Sequence, residues 1–154
     1  MIMRIPTLLL LLLVVAASGA VAGEDGMRFE GLSPVLAETL RNARDDTARR
    51  VATLPDAASR SREWGRLGMF YHAQHLPYAA ELAYGNALAE AEDPRWRYLR
   101  AIALGERGEL DLALSDYRVV SQTDPGNMAA WYRLGAGLLV RGDQDAALVA
   151  LEEA

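Results

Sequence analysis

The chain of 154 residues has no cysteine, no lysine and only two histidines. The missing cysteine excludes disulfides, thiolate metal sites, a thiol nucleophile and a lipid-modified N-terminal Cys. A tetrahedral metal site wants at least three protein ligands. His72 and His75, three apart on one helix, have no third His and no Cys to complete one, and no acidic residue is spaced to help. All 16 basic residues are arginine, a side chain suited to bidentate pairing with carboxylates, although GC-rich coding gives the same bias. A formal charge of -5 and a pI of about 5 argue against a nucleic-acid surface, which wants a basic face. Glycine-rich phosphate loops are also missing, since Gly65-Arg66-Leu67-Gly68 falls inside a helical pattern with no strand before it. Ser59, Ser61, Ser115 and Ser121 lack the context of a nucleophile elbow. Asp45-Asp46 and Glu152-Glu153 are adjacent, so on a helix each pair diverges by about 100° and cannot share a proton. No catalytic, cofactor-binding or metal site is expected, and the chain reads as a non-enzyme.

Long apolar runs are confined to the N-terminus. Arg4 precedes an unbroken apolar stretch over residues 8–17, followed by Ser18-Gly19 and the small-x-small sequence Ala20-Val21-Ala22. That is the layout of an export signal over 1–22, cleaved before Gly23. Ten helical residues span about 15 Å, half a hydrocarbon core, whereas the stretch 5–22 reaches about 27 Å and leaves an uncleaved anchor as the alternative. Either way the remainder is expected outside the cytoplasm, periplasmic or secreted, and at a membrane only through an uncleaved leader.

Residues 23–32 read as a polar linker, loose over 24–31. Ser33-Pro34 then opens a helix over 33–54, with Ser as N-cap and Pro in the first position. Val35, Leu36, Leu40, Ala43, Ala48 and Val51 form its apolar stripe. Arg41, Arg44, Asp45, Asp46, Arg49 and Arg50 alternate in sign over the remaining face, as a solvated surface with local ion pairs does. Pro55 stops this helix.

Beyond it the chain repeats. Trp64, Leu67, Gly68 and Tyr71 recur at helical spacing on one helix, and Ala80, Tyr84 and Ala87 on the next. One repeat further along, Ala101, Leu104, Ala113, Tyr117 and Val120 take the same slots. The repeat after that gives Trp131, Leu134, Gly135, Leu138, Ala147, Leu151 and Ala154. Small residues let two helices approach, and an aromatic fills the angle beside them. A period of about 34 residues in helical pairs marks a solenoid. Helices are expected over 61–74, 78–92, 94–107, 110–122, 128–140 and from about 144. Asp93-Pro94 and Asn127 supply helix starts, and Gly108 and Gly142 the turns.

These residues resemble the tetratricopeptide repeat (TPR) family: Trp, Leu-Gly and Tyr on the first helix of a unit, then Ala, an aromatic and Ala on the second. The resemblance covers 61–154 as units 61–93, 94–127 and 128–154, with 33–54 as a capping helix. It implies an all-α right-handed solenoid. The middle unit departs from the pattern, with Arg97 or Tyr98 in the Trp slot and Arg100 in the Leu slot. The first has His75 where the turn usually carries Gly. The last helix has Leu148 and Leu151 facing a neighbour absent from the sequence, so a fragment of a longer array, or self-association through that end, is expected.

The resemblance further implies that the first helix of each unit lines a concave groove for an extended or helical peptide. The face turned away from the packing residues selects Arg62, Arg66, Met69 and His72; then Arg95, Tyr98 and Ile102; then Tyr132, Ala136 and Leu139, with Arg133 at the edge. Such a lining is basic at one end and apolar-aromatic at the other, for a protein or peptide partner and not for nucleic acid. Arg62 and Arg66 match the basic pair of the family's carboxylate clamp, but its groove asparagines are missing.

Overall fold

The computed structural model of the protein describes residue 29 and residues 31–154, so the expected leader lies outside the described residues. What is described contains seven helices and no strand: α1 Pro34–Thr53, α2 Ala57–Ala73, α3 Pro77–Glu90, α4 Pro94–Glu106, α5 Leu110–Thr123, α6 Met128–Arg141 and α7 Gln144–Glu152. Each packs chiefly on the helices next to it in the chain, which is how a solenoid distributes its contacts. None of the described helices is long and apolar enough to cross a membrane.

Local chemistry sets the helix ends. The Ser33 hydroxyl accepts from the Leu36 amide at 3.3 Å, Asp93 Oδ1 from Arg95 at 2.9 Å, and Asn127 Oδ1 from Ala130 at 3.1 Å. One start differs from expectation: α2 begins at Ala57, not Ser61, because Asp56 Oδ1 accepts from the Ser59 amide at 2.7 Å. The three hairpin turns close identically. Leu76 donates to the Tyr71 carbonyl, Glu109 to Leu104 and Asp143 to Leu138, at 2.9–3.1 Å, bracketing left-handed residues at His75 (φ 57°), Gly108 (φ 80°) and Gly142 (φ 91°). His75 therefore occupies the glycine slot with glycine geometry, at a strain that glycine avoids.

The repeated slots form the core. Gly68, Ala101 and Gly135 are all buried. A Cβ built on Gly68 would lie 2.5 Å from the Tyr84 ring, and one on Gly135 2.6 Å from Leu151. Tyr84 and Tyr117 are buried beside these small residues, and burial pushes the Tyr117 hydroxyl up to about 12. The capping helix contributes Leu40, whose carbonyl accepts from the Tyr71 hydroxyl at 3.1 Å.

Two expectations for the N-terminal region are corrected. Val35 (75% exposed) and Ala48 face solvent, while Ala37 and Thr47 take the buried positions beside Leu40 and Val51. The buried positions of α1 are Ala37, Leu40, Thr47 and Val51, a set that includes a threonine and that the apolar count alone does not register. Phe29, placed in the loose linker, is instead buried, its ring 5.7 Å from that of Tyr71. Burying an aromatic ring removes a large apolar area from water.

The middle unit replaces part of the core chemistry. Arg97 occupies the slot of Trp64 and Trp131, and Arg100 that of Leu67 and Leu134. Asp116, 3% exposed, stands in the slot of the buried alanines Ala83 and Ala150. Its carboxylate accepts from Arg97 Nη1 at 2.9 Å and from Arg100 at 2.7 and 2.8 Å, the latter a bidentate pair. Arg97 also donates to Glu92; that bond, ahead of the opposing effect of burial, raises the guanidinium above its ordinary value.

Candidate functional site

The first helix of each unit carries the expected groove residues, in environments that differ along the solenoid. Arg62 is exposed and donates to the Ser59 hydroxyl at 2.7 Å. Met69 is 51% exposed. Tyr132 and Leu139 are 61% and 51% exposed, with half-buried Ala136 between them in the chain. These five present free side-chain surface or stand beside it. Arg66 is also exposed, but it pairs with Glu63 at 2.7 Å and lines the cleft between α1 and α2 with Arg50 and Phe70.

The remaining four are engaged by neighbouring side chains, Arg95 at the surface and the other three half-buried. Arg95 lies over the Trp96 ring, 3.9 Å from its centroid, and donates to Asp93 at 3.2 Å. Tyr98 is half-buried, edge-on to Tyr117 at 5.8 Å, and its hydroxyl accepts from Arg133 Nε at 3.1 Å. Ile102 packs against the second core cluster. His72 is half-buried, with Nε2 3.1 Å from Glu106 Oε2 and Nδ1 3.5 Å from the Tyr84 hydroxyl.

Two of these contacts tie successive first helices together. His72 on α2 meets Glu106 on α4, and Tyr98 on α4 meets Arg133 on α6. The tie from Arg133 also holds its guanidinium above its ordinary value. A third junction is apolar: the buried Trp96 ring of α4 lies against Gly65 of α2, where any Cβ would collide with it. Gly65 shares its slot with Tyr98 and Tyr132. That slot is thus covered from the neighbouring unit in the first repeat and carries its own tyrosine in the next two. Glu106 and Trp96 were not among the expected groove residues. Their signal was a separation of roughly one repeat from His72 and Gly65, which a residue-by-residue selection passes over.

The ends of the wall differ in charge. Arg62, Arg66 and Arg95 cluster toward α2 and the start of α4, while α6 offers Tyr132, Ala136 and Leu139. Only Arg62 among those arginines makes no ion pair among the described residues.

No family model matches the chain, and no curated protein does. Solved structures do. YrrB, described as a TPR protein with an unusual peptide-binding site, superposes with a TM-score of 0.60 at 25% identity, over 77% of this chain and 60% of YrrB. MamA superposes with a TM-score of 0.64 at 20% identity, over 77% of this chain and 68% of MamA. The chain thus spans less than two thirds of the length of YrrB. Hairpins repeated at a near-constant period, small slots packed on aromatics, and these superpositions lead to one conclusion: the chain has the fold of a tetratricopeptide-repeat solenoid.

Proposed function

We propose that this solenoid is a non-enzymatic interaction scaffold, working outside the cytoplasm, that holds a peptide or protein segment along the first helices of its units. The observation that carries the reading is the exposed row Arg62, Met69, Tyr132 and Leu139 on helices whose opposite faces are committed to the core. Exposed methionine, tyrosine and arginine are among the residues enriched at contact surfaces, where a few rigid or adaptable anchors carry most of the affinity. The ties from His72 to Glu106 and from Tyr98 to Arg133 support the reading, because they hold the wall in shape before a segment arrives and reduce the ordering that binding would demand. The description of YrrB as peptide-binding supports it by analogy of fold. The layout of residues 1–22 supports the location.

The test is affinity capture from an envelope extract with the parent chain and the double variant Met69→Asp, Tyr132→Ala, both with circular dichroism to verify folding. A partner held by the parent and lost from the double variant is expected, with a mature chain starting at Gly23 by mass spectrometry. Equal capture by both chains overturns the groove, and an unprocessed cytoplasmic chain overturns the location.

A further inference from the structure

The face of α2 that turns toward α1 departs from its counterparts in the later units. Glu63 and Phe70 take the slots of Trp96 and Ala103 in α4 and of Ala130 and Gly137 in α6. In the later units those slots are closed. Trp96, Ala103 and Ala130 are buried, and a Cβ on Gly137 would stand 2.6 Å from Leu114 of the preceding helix. Phe70, by contrast, is 38% exposed. A phenyl ring does not fit a gap sized for alanine or glycine, and a cleft of about 450 Å³ stands open between α1 and α2. Both of its walls are helices of the chain, apolar at Phe70, Leu67 and Ala43 and charged at Arg50, Glu63 and Arg66.

Glu63 lies between two guanidinium groups. Arg50 Nε donates to its Oε2 at 3.0 Å, and Arg66 Nη1 donates to its Oε1 at 2.7 Å. Arg50 Nη2 also donates to the Thr47 hydroxyl at 3.1 Å. Among the described residues, Arg50 Nη1 and the Nε–Nη2 edge of Arg66 make no hydrogen bond. Asp46, the other carboxylate of the cleft, is paired with Arg49. One carboxylate thus serves two guanidiniums, and a positive charge is left over beside an exposed ring. The surroundings have the same sign: α1 and α2 carry seven arginines and four side-chain carboxylates, whereas residues 77–154 carry seven and thirteen.

We propose that this cleft is a second binding site, separate from the groove, for an acidic segment of a partner protein that carries a bulky apolar side chain. A carboxylate of the segment takes the open donors of Arg50 and Arg66, and the apolar side chain covers the Phe70 ring. The free edge of Arg66 offers two parallel N–H groups, the geometry that suits a carboxylate. Covering a partly exposed ring adds apolar contact beside the charge. The acidic remainder of the chain repels a long polyanion, so the occupant is a short segment.

The probe is an amide-capped, fluorescein-labelled peptide of sequence Glu-Asp-Phe-Leu-Asp-Glu, titrated with the full chain by fluorescence anisotropy. Saturable binding that weakens as salt is raised is expected, and a counterpart with lysine at the four acidic positions does not bind. Arg50→Gln with Arg66→Gln, at side chains more than half exposed, lowers the affinity by about tenfold. Phe70→Ala, which installs the residue that α4 uses in that slot, weakens binding independently. Circular dichroism verifies the fold of each variant. Met69→Asp in the groove leaves the affinity unchanged, so a failure of this site and a failure of the groove are read separately. Three outcomes overturn the proposal: no saturable binding by the parent, binding indifferent to all three cleft substitutions, or loss with Met69→Asp alone, which would put the acidic segment in the groove.

Discussion

Replacing Asp116 tests how the middle repeat holds together. Its carboxylate bridges two guanidinium groups that are 17% and 25% exposed, and is itself 4% exposed by side chain. Asp116→Ala removes three hydrogen bonds and leaves Arg97 with Glu92 and Arg100 with no carboxylate. Breaking a buried pair costs about 3–5 kcal/mol because the surviving charge is stranded. Partial exposure of both arginines lowers that to about 2–3 kcal/mol here. Asp116→Asn keeps the shape and is expected to cost nearly as much, since the charge is what matters.

The triple variant Arg97→Trp, Arg100→Leu, Asp116→Ala installs the residues that this chain already uses in those slots, Trp64, Leu67 and Ala83, and again Trp131, Leu134 and Ala150. Replacing a complete buried ionic cluster by packed apolar groups is often neutral or stabilising by about 1–4 kcal/mol. The triple variant is therefore expected to be at least as stable as the parent, although one of its three changes alone is severely destabilising. Urea unfolding followed by circular dichroism measures this, with an unchanged m-value as the check that the unfolding transition is the same. A triple variant no more stable than Asp116→Ala would refute the reasoning, because the slots would then not be interchangeable between units.

Other perturbations follow from backbone and burial. His75→Gly relieves the left-handed strain and is expected to stabilise the chain by about 0.5–1 kcal/mol after the extra freedom of glycine in the unfolded chain, whereas Gly108→Ala destabilises it by about 1 kcal/mol; both appear as shifts in urea midpoint. Gly68→Ala drives a methyl into the Tyr84 ring and is expected to cost about 1–3 kcal/mol, while Gly85→Ala, in the interior of α3 with open space around it, gains about 1 kcal/mol. Burial raises the hydroxyls of Tyr71 and Tyr117 to about 12 from an ordinary 10. Both are neutral in either state below pH 10, so their contribution is fully present there. As pH rises from 10 to 12 the unfolded chain ionises first, and stability falls by about 1.4 kcal/mol per unit for each residue. Alkaline unfolding with a coincident rise in tyrosinate absorbance is expected, and early ionisation of both rings in a chain still folded would refute it.

The solenoid was legible in the sequence because its information is periodic. Glycine or alanine in one slot and a ring or leucine in the next recur from unit to unit, and the structure buries them together. Helix ends were legible where a proline follows the cap, at Ser33-Pro34 and Asp93-Pro94, and missed at Asp56, where the proline, Pro55, precedes the cap and reads as the stop of the helix before it. The residues expected to line a groove could be assigned to helices from the sequence, but their contacts could not. His72 and Tyr98 sit on the expected face, yet their partners Glu106 and Arg133 come from the next unit. A helical wheel drawn for one helix has no place for a neighbour one repeat away.

The middle repeat shows why reading slots one at a time falls short in a chain of this kind. Taken singly, Arg97 and Arg100 are two polar residues in apolar slots and look like decay of the pattern. Taken with Asp116, in the alanine slot on the other helix of the same hairpin, they form a single substitution of chemistry in which every charge has a partner. Because each solenoid unit touches only its neighbours, a polar residue in a core slot must find its compensation within its own hairpin or the next one. The search for that compensation is then confined to slots half a repeat or one repeat away. Asp116 lies 16 and 19 positions from its arginines, and Arg141 lies 30 from Asp111. Departures from a repeat that come in charge-balanced sets at those separations are additions to the fold's chemistry.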